Sequence, residues 1–469
     1  MRFEGLSSGK SNRLAGRCGL ARDVQGKWGG ESRRERGPTA TRVGHALPAT
    51  PHTTRYRDLA MYSLLTAKTR GLQTEALEFA QDLIRTPSPS QQEADVARQV
   101  AERMESLGYD RVLTDEFGNV VGVLYGRQGH PTLLLGSHMD TTDVGDEAMW
   151  RSPPHSGEVC DGKLIGLGAS DCKAGLAAQV YAGCLLKRSL LPLRGNLIVA
   201  ATVSEEQGGS PGLRHLLRDT LPSLDLQPDL AILGEPTALS IYYGHDGSAM
   251  FEVLVEGPDR FQVTDATNAV YATFRDQFQA TGHADARERQ SLGEPRFMQA
   301  PGTATGLIPV CRRLPDSDTV SGVLEQIKRE ARLAAESVAR VAVNVNVKRE
   351  ERRLYTQRTT VLEQRIEAWS LDPYHSLVVR SRQALAAAGC PVACGKWQLP
   401  RLGMGTAGGV LVNEFHVPAI GYGPGAEETC HVPNESVSVT RFNQAIYGTA
   451  AIAHALVGVP VCGWTVDEI

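Results

Sequence analysis

The chain has 469 residues, 41% apolar and 22% charged, the make-up of a soluble globular protein with room for two or three cores. Its net charge of −4 is unevenly spread: residues 1–60 carry 12 Lys/Arg against 5 Asp/Glu, and the rest 37 against 48. The acidic body argues against nucleic-acid binding, and the lack of an 18-residue apolar run argues against a membrane span.

Residues 1–60, with "ESRRERGPTATR", lack apolar periodicity and read as a disordered basic extension that need not be native; Met61 is a natural start. From residue 71 helix and strand alternate. "SQQEADVARQVAERMESLGY" opens with a capping box, Ser90 to Glu93, and sets Val96, Val100, Met104 and Leu107 on one face. The apolar runs "NVVGVLYG", "TLLLGSHMD", "NLIVAATVSEE" and "LAILGEP" follow, with the helical stretches "KAGLAAQVYAGCLLKRS" and "GLRHLLRD" among them. Such alternation predicts an α/β fold, a doubly wound mixed sheet covered on both faces.

Beyond "YYGHDGSAM" the pattern changes. "MFEVLVEG" alternates, "GVLEQIKREARLAAESV" is amphipathic, and "RVAVNVNVKR" puts Val341, Val343, Val345 and Val347 on one face. An inserted α+β lid is therefore expected at 249–355, between catalytic-domain parts at 61–248 and 356–469. The α/β pattern resumes with "YHSLVVRSRQALAAAG", "VPAIGYGPG" and "RFNQAIYGTAAIAHALVG". Nine scattered cysteines, an odd number, point to reduced thiols in a cytoplasmic setting, and Cys390 with Cys394 has no second pair to make a zinc ribbon.

Polar groups of ligand type collect where strands end. "LLLGSHMD" delivers His138 and Asp140, "ATVSEE" delivers Glu205 and Glu206, and "LAILGEP" delivers Glu235. "GPGAEETCH" leads to His431, and "GLGASDCKAG" places Asp171 before a helix. Open α/β sheets bind ligands at this edge. Alone, each residue has a bland reading as a cap or a solvated end; together they form a site. Two imidazoles with three or more carboxylates suit two cations, zinc first, with cobalt or manganese as alternatives. One of the paired glutamates can then bind metal while its neighbour turns to substrate. Asp140, two residues after His138, can accept the other ring N–H.

"SHMDTTDVGD", "GLGASDCKAGLAAQ", "SEEQGG", "GEPT" and the late "GPG…H…NE" resemble the co-catalytic zinc aminoacylase and peptidase family, which includes acetylornithine deacetylase, succinyl-diaminopimelate desuccinylase and carboxypeptidase G. "YYGHDG" and "YTQRTTVLEQRIEAWSLDPYHSLV" look closest to a branch of hydrolases linked with selenium metabolism. The resemblance implies His138 and Glu235 on one metal, Glu206 and His431 on the other, and Asp171 bridging. It makes Asp140 the orienter of His138 and Glu205 the general base. It also implies substrate contacts at Asn268, Thr406 and Gly408, a homodimer through the lid, and hydrolysis of the amide bond of an N-acyl amino acid or small peptide.

Three departures stand out. "VEGPDRFQVTDATNAVY" lacks the family's lid histidine, with Phe261 about where it would stand; His283 is a distant substitute. "TGLIPVCRRLPDSD" reads as if most of a strand before Arg312 and Arg313 were missing. "GMGTAGG" has Ala407 where Asp or Asn is usual. Two rival readings follow: a relative that holds metal and ligand with little turnover, and a serine enzyme built on Ser170 and Lys173 of "SDCK".

Overall fold

The computed structural model describes residues 62–280, 290–399 and 402–459. The basic extension at 1–60 and His283 lie outside the described residues. Eight strands form the main sheet: β1 (Arg111–Thr114), β2 (Val120–Leu124), β3 (Gly129–His138), β4 (Gly195–Thr202), β5 (Leu230–Leu233), β6 (Ile241–Tyr242) and, after the lid, β10 (Cys394–Gly395) and β11 (Ala419–Gly421). Their order is β1-β2-β4-β3-β5-β11-β6-β10. The four central strands β4, β3, β5 and β11 run parallel, and antiparallel pairings flank them.

Both faces of the sheet are covered. Leu133, Leu135, Leu197 and Val199 point to one side, against α1 (Gln73–Arg85), α2 (Ala94–Ser106), α3 (Lys173–Arg188), α6 (Ser376–Ala387) and α7 (Val439–Val457). Leu134, Ile198 and Ala231 point to the other, against Leu213, Leu216 and Leu411. Burial on both sides removes the polar alternation of a half-exposed strand, hence the continuous apolar runs in the sequence. In α2 the expected face is buried through Val96, Val100 and Met104, with Leu107 just beyond its end.

Among the described residues the lid is a second sheet with two helices on one face. Strands β7 (Gly247–Gly257), β8 (Thr303–Leu314) and β9 (Ala342–Val347) pair antiparallel, with β7 central. Val343 and Val345 are buried against α4 (Arg260–Ala280) and α5 (Val320–Ala335), with Val341 and Val347 packed at the margin. The strand thought to be missing before Arg312 is intact. β8 spans 12 residues and faces β7 from Ala304 to Leu314. Gly306 and Pro309 broke its apolar alternation in the sequence, which hid the inward set Ala304, Ile308 and Val310.

From the lid the chain returns as a ribbon, Arg349–Arg353 against Thr359–Glu363. Its tip is tied to the main domain, where the Tyr355 hydroxyl donates to the Gly118 carbonyl at 2.9 Å and Arg358 pairs with Glu116. Among the described residues no helix is long and apolar enough to cross a membrane.

Candidate metal centre

In register, His138 at the end of β3 lies beside Thr202 at the end of β4, and Gly136 lies beside Leu233 at the end of β5. Glu205, Glu206 and Glu235 therefore leave the sheet at the same edge as His138. Helix α3 is brought to this edge by an unusually close approach. A Cβ on Gly175 would stand 1.7 Å from the Gly234 carbonyl oxygen, so only glycine lets the helix pass. That contact sets Asp171, four residues before Gly175, beside Glu235, one residue after Gly234.

The side chains converge on Asp171. Its Oδ1 is 3.1 Å from His138 Nε2, and its Oδ2 is 3.2 Å from His431 Nε2. Glu235 Oε2 stands 4.0 Å from His138 Nε2, and Glu206 Oε2 stands 3.0 Å from His431 Nε2. Two groups with ligand atoms within 4.8 Å of one another result: His138, Asp171, Cys172 and Glu235, and Asp171, Glu206 and His431. They share Asp171. Glu206 Oε1 is buried without a hydrogen-bond partner, which suits an oxygen reserved for a cation.

The adjacent glutamates reach one place because the strand breaks before them. Ser204 has φ +57°, the left-handed region that costs a non-glycine residue energy, and it turns the chain after Val203. Buried side chains hold the turn. Asn119 accepts from Val203 N–H at 3.1 Å and Glu93 from Ser204 N–H at 3.0 Å. Asp140 accepts from Glu205 N–H at 3.0 Å and Glu206 N–H at 3.1 Å. The capping box expected at Ser90 does not form. Ser90 donates to Asp140 at 2.6 Å instead, while Glu93 is drawn to the turn; α2 starts without a side-chain cap. The buried Asp140 carboxylate and the Ser204 N–H need partners more than an exposed helix end does. His138 Nδ1 lies 2.8 Å from the Asp140 main-chain carbonyl and 3.5 Å from its carboxylate, so the backbone is the nearer acceptor of the ring N–H.

Glu435 is a second clamp. It accepts from Ser170 N–H at 2.7 Å, Asp171 N–H at 2.9 Å and Gly168 N–H at 3.0 Å, fixing the loop that carries Asp171. "NESV" was visible in the sequence, but the 264 residues between Glu435 and Asp171 hid the contact. Cys172 was also missed as a neighbour of His138. Burial pushes its thiol up, so it stays protonated and packs.

Electrostatics follow from the crowding. Burial first, then Glu206, Asp140 and Asp171, push the Glu205 carboxyl up to about 8 against the pull of His138. Burial also raises Glu206 and Glu235. Burial opposes the charged forms of Asp171 and His431 as well, yet hydrogen bonds from His138 and His431 hold Asp171 low, and those to Asp171 and Glu206 raise His431 to about 11. Divalent cations are the natural compensation for so many buried carboxylates.

Of the other expected contacts, Thr406 and Gly408 are buried and Asn268 is exposed. The Thr406 hydroxyl and N–H are both 2.9 Å from His245 Nε2. The Gly408 N–H donates to the Thr406 hydroxyl at 3.2 Å. Asn268 is exposed on α4, and Phe261 is 80% exposed at the start of that helix. Ser170 bonds to Ala426, while Lys173 donates to the Leu83 and Thr86 carbonyls, so the two do not form a serine-enzyme pair.

Comparison with known proteins agrees with this geometry. The chain is 26% identical over 395 residues to the uncharacterized protein YgeY of Escherichia coli K12, covering 80% of this chain and 92% of that one. It is 35% identical over 169 residues to a succinyl-diaminopimelate desuccinylase of Rhodospirillum centenum, covering 35% of this chain and 43% of that enzyme. Its fold matches the YXEP protein of Bacillus subtilis, a dinuclear metal-binding peptidase, with TM-score 0.60 at 14% identity over 82% of this chain and 98% of the other. Residues 134–456 match the model of peptidase family M20/M25/M40. With that match and its strand-edge cluster of ligand-type side chains, the chain belongs to peptidase family M20/M25/M40 and is a metal-dependent hydrolase of amide bonds.

Proposed function

We propose that the protein is a dinuclear zinc hydrolase cleaving the amide bond of an N-acyl amino acid or small peptide, with cobalt or manganese as alternative ions. One observation carries this reading: each carboxylate oxygen of Asp171 faces a different imidazole, with Glu235 on one side and Glu206 on the other. His138 and Glu235 would hold one ion, Glu206 and His431 the second, and Asp171 both. When bound, such ions supply Lewis-acid polarisation of the substrate carbonyl and acidify the attacking water.

Glu205 belongs to neither ligand group, yet it lies in the field of His138, Glu206 and Asp171. It takes the proton of the attacking water and returns it to the leaving amine nitrogen. Asp140 holds Glu205 and Glu206 by their N–H groups and His138 through its main-chain carbonyl. A complete ligand set beside a free-standing carboxylate favours turnover over a relative that merely binds ligand. Seven free cysteines among the described residues go with a cytoplasmic setting. A homodimer through the lid goes with the edge position of β9.

The test is metal analysis paired with turnover of N-acyl amino acids and dipeptides. Glu205→Gln is expected to lose at least about 10²-fold in kcat with both metal equivalents retained. His431→Ala is expected to lose one equivalent. Metal loss in the first variant, or unchanged stoichiometry in the second, contradicts the assignment.

A further inference from the structure

A cavity of about 280 Å³ opens against Glu206, between the lid sheet and the turn Glu206–Gly208. Its floor is the face of the lid sheet away from α4 and α5, where Met250 and Cys311 are register partners on β7 and β8. Ile366 adds apolar wall, and Gln364 and Arg352 border it. The volume is below the roughly 300–1,000 Å³ of drug-sized pockets, so one side chain or a short acyl chain fills it.

Two arginines border this cavity, and both are already matched by acids. Arg365 Nε is 3.0 Å from Glu363 and its Nη1 3.0 Å from Glu367, with Glu414 at 3.9 Å. Arg352 pairs with Glu350, which also takes Lys348. A carboxylate entering beside Glu206 therefore meets an apolar floor and arginines whose charge acids already balance, with only the buried Nε–H groups of Arg352 and Arg365, which donate no hydrogen bond, left to it. Desolvating it there is unfavourable, whereas an aliphatic or thioether group replaces water at no such cost.

We infer that this cavity, floored by Met250 and Cys311, is a specificity subsite that selects an uncharged, apolar substituent on the substrate and disfavours a dicarboxylic acyl group. The inference rests on the proposed amide hydrolysis at the adjoining metal centre. It separates the chain's substrate class from that of a desuccinylase, whose acyl group carries a second carboxylate. Met250 and Cys311 act by shape and polarity and take no part in bond cleavage.

The experiment uses the full-length metal-loaded protein and a matched panel: N-acetyl-, N-hexanoyl- and N-succinyl-amino acids, with methionine and glutamate as the amino acid. The uncharged member is expected to exceed its charged counterpart in kcat/KM by at least about tenfold on one side of the amide. Met250→Lys is expected to shift that ratio toward the charged member by about tenfold or more, chiefly through KM. Cys311→Phe is a second variant that fills the space and shifts selectivity from hexanoyl toward acetyl or from methionine toward smaller residues. Succinyl or glutamyl substrates favoured by the unaltered protein, or ratios indifferent to both variants, overturn the subsite. Equilibrium binding of the same panel to Glu205→Gln reads the preference without turnover. Silence of the whole panel toward hydrolysis with metal bound sinks the N-acyl amino acid reading, while flat binding across it sinks the subsite.

Discussion

The strand edge that carries the ligand cluster and the lid that faces it are held together differently. At the edge, four consecutive N–H groups from Val203 to Glu206 are each met by a buried side chain, and Glu435 meets three more. The lid instead holds by sheet pairing and by apolar packing of Val253, Val255, Ile308 and Ile327. Its caps, at Asp259 and Thr319, sit at exposed helix ends. Directional bonds fix positions to tenths of an ångström, which a ligand set requires. Apolar packing tolerates repacking, which a substrate-facing surface can use. The lid should accept substitutions that the edge cannot.

Two glycines put this contrast to its strongest test. Alanine at Gly175 drives a Cβ into the Gly234 main chain, and backbone cannot step aside. A loss of about 3 kcal/mol or more is expected from thermal unfolding, with weakened uptake of both metal equivalents because Asp171 and Glu235 part. In the lid, alanine at Gly293 meets only the side-chain ring of Pro309, at 3.0 Å or more, which can give by a few tenths of an ångström. About 1 kcal/mol and unchanged metal stoichiometry are expected there. Equal losses from the two substitutions would erase the distinction.

Removing the Glu435 carboxylate sharpens the same point. Glu435→Ala leaves Gly168, Ser170 and Asp171 N–H groups without their acceptor, for roughly 2–3 kcal/mol after relaxation of the loop. Metal titration by calorimetry should show both equivalents bound more weakly, since Asp171 serves both groups. Loss of stability with metal affinity intact would mean that Asp171 holds its place without this clamp.

What the sequence disclosed divides along the same line. The side chains of the candidate cluster were legible because strand ends announce themselves: an apolar run stops at His138, or just before Glu206 or Glu235. The two-sided core was legible for the same reason. The clamps were not. Ser90 and Glu93 carry the signature of a helix cap, and only the folded chain shows both pulled away, to Asp140 and to Ser204 N–H. Glu435 and Gly175 act on partners brought near by the fold rather than by chain order. In the lid, Gly306 and Pro309 disguised a full strand as a gap, because sheet pairing outweighs local propensity there.

An effect that shows only as pH falls lies where edge and lid meet. His245 follows β6 just before lid strand β7, with Trp369 and Trp397 edge-on at 5.8 and 5.9 Å. Nδ1 lies 2.8 Å from the Asp246 carbonyl, and Nε2 accepts from Thr406. Burial, helped by Arg313, lowers its pKa from 6.5 to about 4. As pH falls, the unfolded chain takes up this proton first, so stability present above pH 6.5 is lost progressively down to about pH 4. Between pH 7 and 5 the loss from this residue is roughly 2 kcal/mol. His245→Gln keeps an acceptor for Thr406 but removes the titration, so its urea-unfolding free energy should fall less over that interval. His454, buried and lowered to about 4, adds a similar slope to both proteins and cancels in the difference. Parallel curves for the two proteins would show that His245 takes up its proton in the folded state as readily as in the unfolded chain, and that the junction is as yielding as the lid.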